Sequence, residues 1–151
     1  MFKWILSATA GVALTIATAA QADDKLNWVE AEGSVSDVMD RLEAAVTEAG
    51  ATVFARVDHA GGADSVDMDL DDAELLIFGN PKLGTPVLQE NIRAGVVLPL
   101  RVLVFTEEDK TWLIYQEVDA MLESVNAEQS TESVGKITEA LKGLTEKAAK
   151  P

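Results

Sequence analysis

Glu74-Leu-Leu-Ile-Phe-Gly79-Asn-Pro-Lys-Leu-Gly84-Thr-Pro-Val-Leu88 decides how the rest of this chain is read. Glu74 to Phe78 is an apolar run of strand length, and it enters a turn made of Gly79, Asn80, Pro81 and Lys82. Thr85-Pro86 then reads as an N-cap followed by proline at the first helical position, which predicts a short helix to about Arg93, closed by Gly95. Such a junction can set backbone N–H groups and one lysine around a small anion. It can equally be a corner in which Gly79 and Pro81 set the backbone angles and Asn80 ties them together. It is not a nucleotide-binding loop, because Thr85-Pro86 stands where the lysine and hydroxyl residue would have to be.

Working upstream, Thr52 to Val57 alternates as a strand, and the polar stretch Asp58 to Ser65 reads as a loop carrying the sole histidine, His59. Before it, Ser34 and Asp37 are spaced as a capping box, with aspartate in place of the usual glutamate. Val35, Val38, Met39, Leu42 and Val46 follow at helical spacing, and Gly50 sits where a left-handed cap belongs. A helix over about 35–49 is predicted, preceded by a strand from Leu26 to Ala31.

Downstream, Val96 to Phe105 is a long apolar run whose Pro99 must lie near the strand start or on an edge. Glu107 to Lys110 makes a hairpin turn, and Thr111 to Tyr115 returns as a final strand. Val118, Met121, Leu122 and Val125 begin a further helix. A polar break at 128–133 separates it from the amphipathic stripe Val134, Ile137, Leu141 and Leu144. Consecutive strands without long helices between them favour an antiparallel sheet backed on one face by helices, a two-layer α+β domain.

The first 22 residues read as an export signal: Lys3, an uncharged stretch from Trp4, and Ala20-Gln21-Ala22 as the cleavage site. The uncharged stretch falls short of the roughly 20 strongly apolar residues of a spanning helix. The expectation is a product released to a bacterial periplasm, with one α+β domain over 23–126 and a helical tail over 127–151. With no cysteine, neither a disulfide nor a cysteine-linked lipid is available. The formal net charge of −14 repels nucleic acid phosphates and anionic lipid head groups, so neither is expected as a partner.

Candidate chemistry is sparse. His59 follows Asp58, which could orient it as a general base, but no nucleophile has a recognisable setting, and neighbours on a strand end point opposite ways. As a metal ligand His59 would have carboxylates alone for company. Asp67, Asp69 and Asp71 resemble the start of a calcium loop, yet Asp72 and Phe78 occupy the positions that need glycine and glutamate. No metal or cofactor is expected. Trp28, Trp112 and Tyr115 fall in predicted strands, where packing accounts for them. Should the second and third strands pair antiparallel, His59 and Asn80 would stand at opposite ends, about 16 Å apart.

From Phe54 to Tyr115 the chain resembles a known family. The matching pieces are Val53-Phe-Ala-Arg-Val-Asp-His59, Leu75-Leu-Ile-Phe-Gly-Asn-Pro-Lys82 with Gly84-Thr-Pro86, Leu98-Pro-Leu100 and Tyr115. Together they resemble the domain of unknown function 302 family. The resemblance implies a β-α-β-β-β-β-α domain of the TATA-binding-protein-like class, dimeric, with no reaction to carry over. The acidic loop Asp64–Asp72 and the helical tail beyond about Asn126 depart from that pattern.

Three readings remain. The leading one is a non-enzymatic, exported binding module acting as a homodimer. Its expected contact with a small polar or anionic ligand is the Gly79-Asn80-Pro81-Lys82 turn, with His59 as a further candidate. The second is a small enzyme using His59 with Asn80 and Lys82. The third is a structural partner that docks through its C-terminal helix.

Overall fold

A computed structural model describes residues 25–127 and 131–151. The expected export signal and positions 128–130 of the polar break lie outside the described residues.

Five strands form one sheet: β1 (Leu26–Ala31), β2 (Thr52–Asp58), β3 (Ala73–Gly79), β4 (Leu100–Glu107) and β5 (Lys110–Gln116). Their order across the sheet is β1-β5-β4-β3-β2, and every neighbouring pair is antiparallel. The first two strands thus occupy opposite edges, so α1 (Val35–Glu48) must cross the whole sheet. Its 14 residues suit that span: a helix that long reaches about 21 Å, and four strand spacings are about 19 Å. Ser34 and Asp37 close the capping box, and Gly50, at a φ of 74°, lets the Ala51 N–H reach the Val46 carbonyl at the far end.

The helices α1, α2 (His59–Asp64), α3 (Pro81–Glu90), α4 (Val118–Ser124) and α5 (Thr131–Ala148), with a 3₁₀ turn at Ile92–Val96, complete the chain. Alternation along the strands sends Leu76, Phe78, Val102, Val104 and Leu113 to the covered side, where they are buried against Val38, Met39, Leu42 and Val46 of α1. Each such side chain contributes roughly 1.5–3 kcal/mol by leaving water. Val134, Ile137, Leu141 and Ala148 of α5 join the same core. Lys147 pairs with Glu48 at the end of α1, and Arg41 Nε donates to the Ala148 carbonyl at 2.8 Å. The amphipathic stripe of the C-terminal helix therefore packs on its own domain.

Two local expectations need correction. The stretch after Val57 is no simple loop: Asp58 Oδ1 accepts from the Gly61 N–H at 2.8 Å and caps the short helix α2. The Gly79–Lys82 segment is likewise not a free turn before a helix at Thr85. Asn80 is the N-cap and Pro81 the first residue of α3, so Pro86 lies inside the helix. Both Asn80-Pro81 and Thr85-Pro86 offer a cap followed by proline, and the one that ends the strand directly prevails. Pro99 precedes β4, where no ladder bond needs its nitrogen.

Candidate functional site

The β2–β3 hairpin carries the sequence-derived candidates at its two ends. Asp58 pairs with Glu74 at one end, and Thr52 with Gly79 at the other. His59 and Asn80 continue beyond those opposite ends, and seven residue steps at about 3.3 Å separate them by roughly 23 Å, more than the sequence-based figure. His59 is exposed, and Asp58 spends its carboxylate on the α2 cap rather than on the imidazole.

Arg56 organises the His59 end. It forms a two-pronged pair with Glu74 and donates from Nη1 to Asp40 at 2.6 Å and to Glu43 at 3.4 Å. The Glu74 hydrogen bond, foremost, together with Asp40, holds the guanidinium pKa far above its ordinary value against the opposing effect of burial. One cation thus satisfies three carboxylates and ties β2 and β3 to α1. Among the described residues no group of three histidine, aspartate or glutamate side chains is placed to share a metal ion.

At the other end the corner is built from backbone constraint. Asn80 Oδ1 accepts from the Lys82 N–H at 3.0 Å, while the Asn80 carbonyl accepts from the N–H groups of Leu83 and Gly84, both at 2.9 Å. Pro81 has no N–H to offer. The donors that would greet an anion at this helix start are therefore engaged or missing. Lys82 itself is exposed and points no ammonium into a cleft.

Behind this corner lies a cavity of about 400 Å³. Phe78, Gly79, Asn80 and Pro81 form one wall, Leu83, Gly84, Thr85 and Leu88 of α3 another. Ala49, Ala51 and Phe54 close the α1–β2 side, Gly95 and Leu98–Leu100 the approach to β4, and Ile137, Ala140 and Leu144 of α5 the roof. Small residues keep it open. A Cβ at Gly84 would meet nothing within 4 Å, whereas one at Gly79 would sit 3.4 Å from the Phe54 ring and 3.6 Å from Pro99. Gly79 is needed for that close approach and not for a left-handed φ. Phe54, at a β-bulge where β2 slips against β3, is 57% exposed although it borders the cavity.

Among the described residues of the lining, Asn80 and Thr85 are the polar side chains, and none is ionisable. The structure thus brings Gly79, Asn80 and Pro81 together in one site, leaves Lys82 on the surface beside it, and sets His59 apart. Sequence reasoning placed none of Phe54, Leu98 or the α5 residues at this site: Phe54 and Leu98 entered as pieces of the family resemblance, and Ile137 and Leu144 as a helical stripe. Gly84 gave no advance signal, because the sequence reads it as part of the turn before Thr85 and only the structure sets it inside α3.

Residues 28–148 match the model of the family described as Domain of unknown function DUF302. A solved structure, that of an uncharacterized conserved protein DUF302 from Bacillus stearothermophilus, aligns with a TM-score of 0.75 at 19% identity. It covers 82% of this chain and 97% of that one, and shows the shared fold. A Brucella suis protein named Fluoride-specific ion channel FluC 1 is 39% identical over 92 residues, which are 60% of this chain and 36% of the relative. A Brucella abortus protein of the same name is 39% identical over 92 residues, 60% of this chain and 34% of its own length. The matched stretch spans about a third of these relatives.

Proposed function

The chain belongs to the DUF302 family, and from that premise we propose that it is an exported, non-enzymatic binding module whose ligand occupies the cavity behind the Asn80–Pro81 corner. The ligand is small, uncharged and largely apolar. One observation carries this reading: a cavity of about 400 Å³, within the size range of small-molecule sites, has no titratable side chain in its lining among the described residues. Acid–base or nucleophilic chemistry needs at least one such group in reach of the substrate. The rival enzyme would need His59 at a site roughly 23 Å away along the hairpin. An anion would find no free donor in the first turn of α3.

The test is binding of an uncharged apolar fluorophore, N-phenyl-1-naphthylamine, to the wild-type protein and to Gly84→Leu, with inorganic phosphate as competitor. Enhanced emission that Gly84→Leu abolishes and phosphate does not displace is the expected result. Equal emission from both proteins, or displacement by phosphate, overturns the proposal. N-terminal sequencing of protein recovered from its own cells tests export, with a start at Asp23 expected.

A second reading rests on the relatives named fluoride-specific ion channels, a third of whose length matches this chain. On that reading the protein works beside such a channel as a separate chain. Deleting its gene should then lower the fluoride concentration that arrests growth. Unchanged tolerance removes this reading and leaves the cavity proposal untouched.

A further inference from the structure

The net charge of −14 is spread unevenly along the strands. At the Asp58–Glu74 end of the sheet the Asp64–Asp72 segment carries five aspartates, and the β4–β5 turn adds Glu107, Glu108 and Asp109. The opposite end, where the cavity lies, reverses the sign. From Leu75 to Thr106 there are three cations, Lys82, Arg93 and Arg101, against the single acid Glu90. Lys82 starts α3, Arg93 sits in the 3₁₀ turn, and Arg101 follows Leu100 of the cavity wall. All three are exposed, and none forms a salt bridge among the described residues.

Large apolar side chains stand exposed at this same end. Ile92 and Val96 of the 3₁₀ turn are 77% and 76% exposed, and Phe54 borders the cavity with more than half its surface in water. The periodicity of the turn explains the first two. In a 3₁₀ helix residues three apart share a face. Ala94 and Val97 make the buried face, Ile92 stands in line with Gly95 of the cavity lining, and Val96 stands in line with Arg93. Cationic and apolar groups are thus interleaved around the cavity.

We infer that this end docks on an anionic lipid membrane, with Ile92, Val96 and Phe54 entering the boundary between head groups and acyl chains. Charge complementarity selects that partner. Binding of this kind grows with the apolar area inserted and with the attraction of basic side chains to anionic lipids. Each basic residue near the surface is worth roughly fivefold in affinity. The acidic end does not cancel this. Roughly 20 Å of strand separates the two ends, about twice the distance over which about 0.1 M salt screens a charge. Its repulsion instead turns the molecule so that the cationic end arrives first. The average charge that counts against lipid head groups for the whole chain thus orients it. Three protruding side chains are also far fewer than the roughly 20 residues a side of a standard protein interface, whereas each counts singly on insertion into lipid. The docking surface stands on charge and exposure alone. Its place beside the cavity adds a purpose that rests on the proposed function: an apolar ligand passes between bilayer and cavity without crossing water.

Co-sedimentation with vesicles tests this, using protein recovered from its own cells. The wild type should bind vesicles of equal parts phosphatidylglycerol and phosphatidylcholine, less so as salt rises, and should not bind phosphatidylcholine alone. Arg93→Glu should weaken binding at least about fivefold. Ile92→Ser with Val96→Ser leaves the charge unchanged and should weaken it about tenfold, which separates insertion from attraction at a distance. Lys150→Glu reverses a charge beside Ala149, whose carbonyl accepts from the Glu32 N–H past the acidic end of β1, and should leave binding as it was. All these side chains are exposed, so folding is little disturbed. A wild type that ignores anionic vesicles, which would make an acidic protein the partner of this end, overturns the inference. So does an Arg93→Glu protein, or one with both serines, that binds as tightly as the wild type. Naphthylamine emission without vesicles reads the cavity separately, so either reading can fail without the other.

Discussion

The two ends of the β2–β3 hairpin solve opposite problems. At the Asp58–Glu74 end, charge is saturated: Arg56 is held by Glu74, Asp40 and Glu43, and nothing there is left wanting a partner. At the Thr52–Gly79 end, volume is left over, with apolar walls around about 400 Å³. Charged clusters attract attention in a sequence, yet here the cluster closes on itself and holds the fold. The uncharged end, with its apolar cavity, is the one to which the proposed function assigns the ligand.

The sharpest way to break this contrast is Arg56→Met. It removes the one cation among three carboxylates and leaves Glu74, whose side chain is 15% exposed, without its partner. A cost of about 2–3 kcal/mol is expected, below the range for a fully buried pair because water reaches Asp40 and Glu43. Urea unfolding measures it. Naphthylamine emission at saturating probe, measured on the folded protein, should stay unchanged. Loss of binding at this distance would mean the two ends are one site.

Gly84→Leu strikes the other end. Gly84 borders the cavity and a Cβ there would meet nothing within 4 Å, so a leucine at this position is expected to crowd the cavity and weaken probe binding by at least about tenfold. Stability should rise by up to about 1 kcal/mol, since glycine is a poor helix former. Thermal unfolding and fluorescence titration on one sample read both. A destabilised variant that still binds would place the ligand elsewhere.

Much of this fold is legible from local signals, each with its own physics. The Ser34–Asp37 spacing and Gly50 bracket α1, and the Glu107–Lys110 turn, with Glu108 and Asp109 both left-handed, closes the β4–β5 hairpin where expected. The start of α3 is misread because two cap-plus-proline signals compete within six residues, and only the strand's end decides between them. The cavity is legible only in part. Gly79, Asn80 and Pro81 stand out in the sequence, but the opposing walls come from Ala49–Phe54, Leu98–Leu100 and α5, which only the sheet order brings together. No local periodicity reports a void.

A smaller effect belongs to Asn80→Ala. The side chain caps α3 through the Lys82 N–H, and its loss should cost about 1 kcal/mol. Because Asn80 also borders the cavity, probe binding separates its two roles. Lost stability with unchanged affinity assigns it to the cap alone, whereas weaker affinity gives it a hydrogen bond to the ligand.

Smallest of all should be His59→Ala and Lys82→Ala, the two substitutions that a reading of the sequence would rank first. Both side chains are exposed, and neither lines the cavity. Surface substitutions of this kind stay within about 0.5 kcal/mol. Neither should alter naphthylamine binding, and neither should change the thermal response to a panel of small anions, because the first turn of α3 has no free donor with which Lys82 could cooperate. A phosphate-induced thermal shift in the wild type that vanishes in Lys82→Ala would restore the anion reading of the corner. It would also reverse the contrast drawn between the hairpin's two ends, since charge would then do the binding where apolar volume is argued to do it.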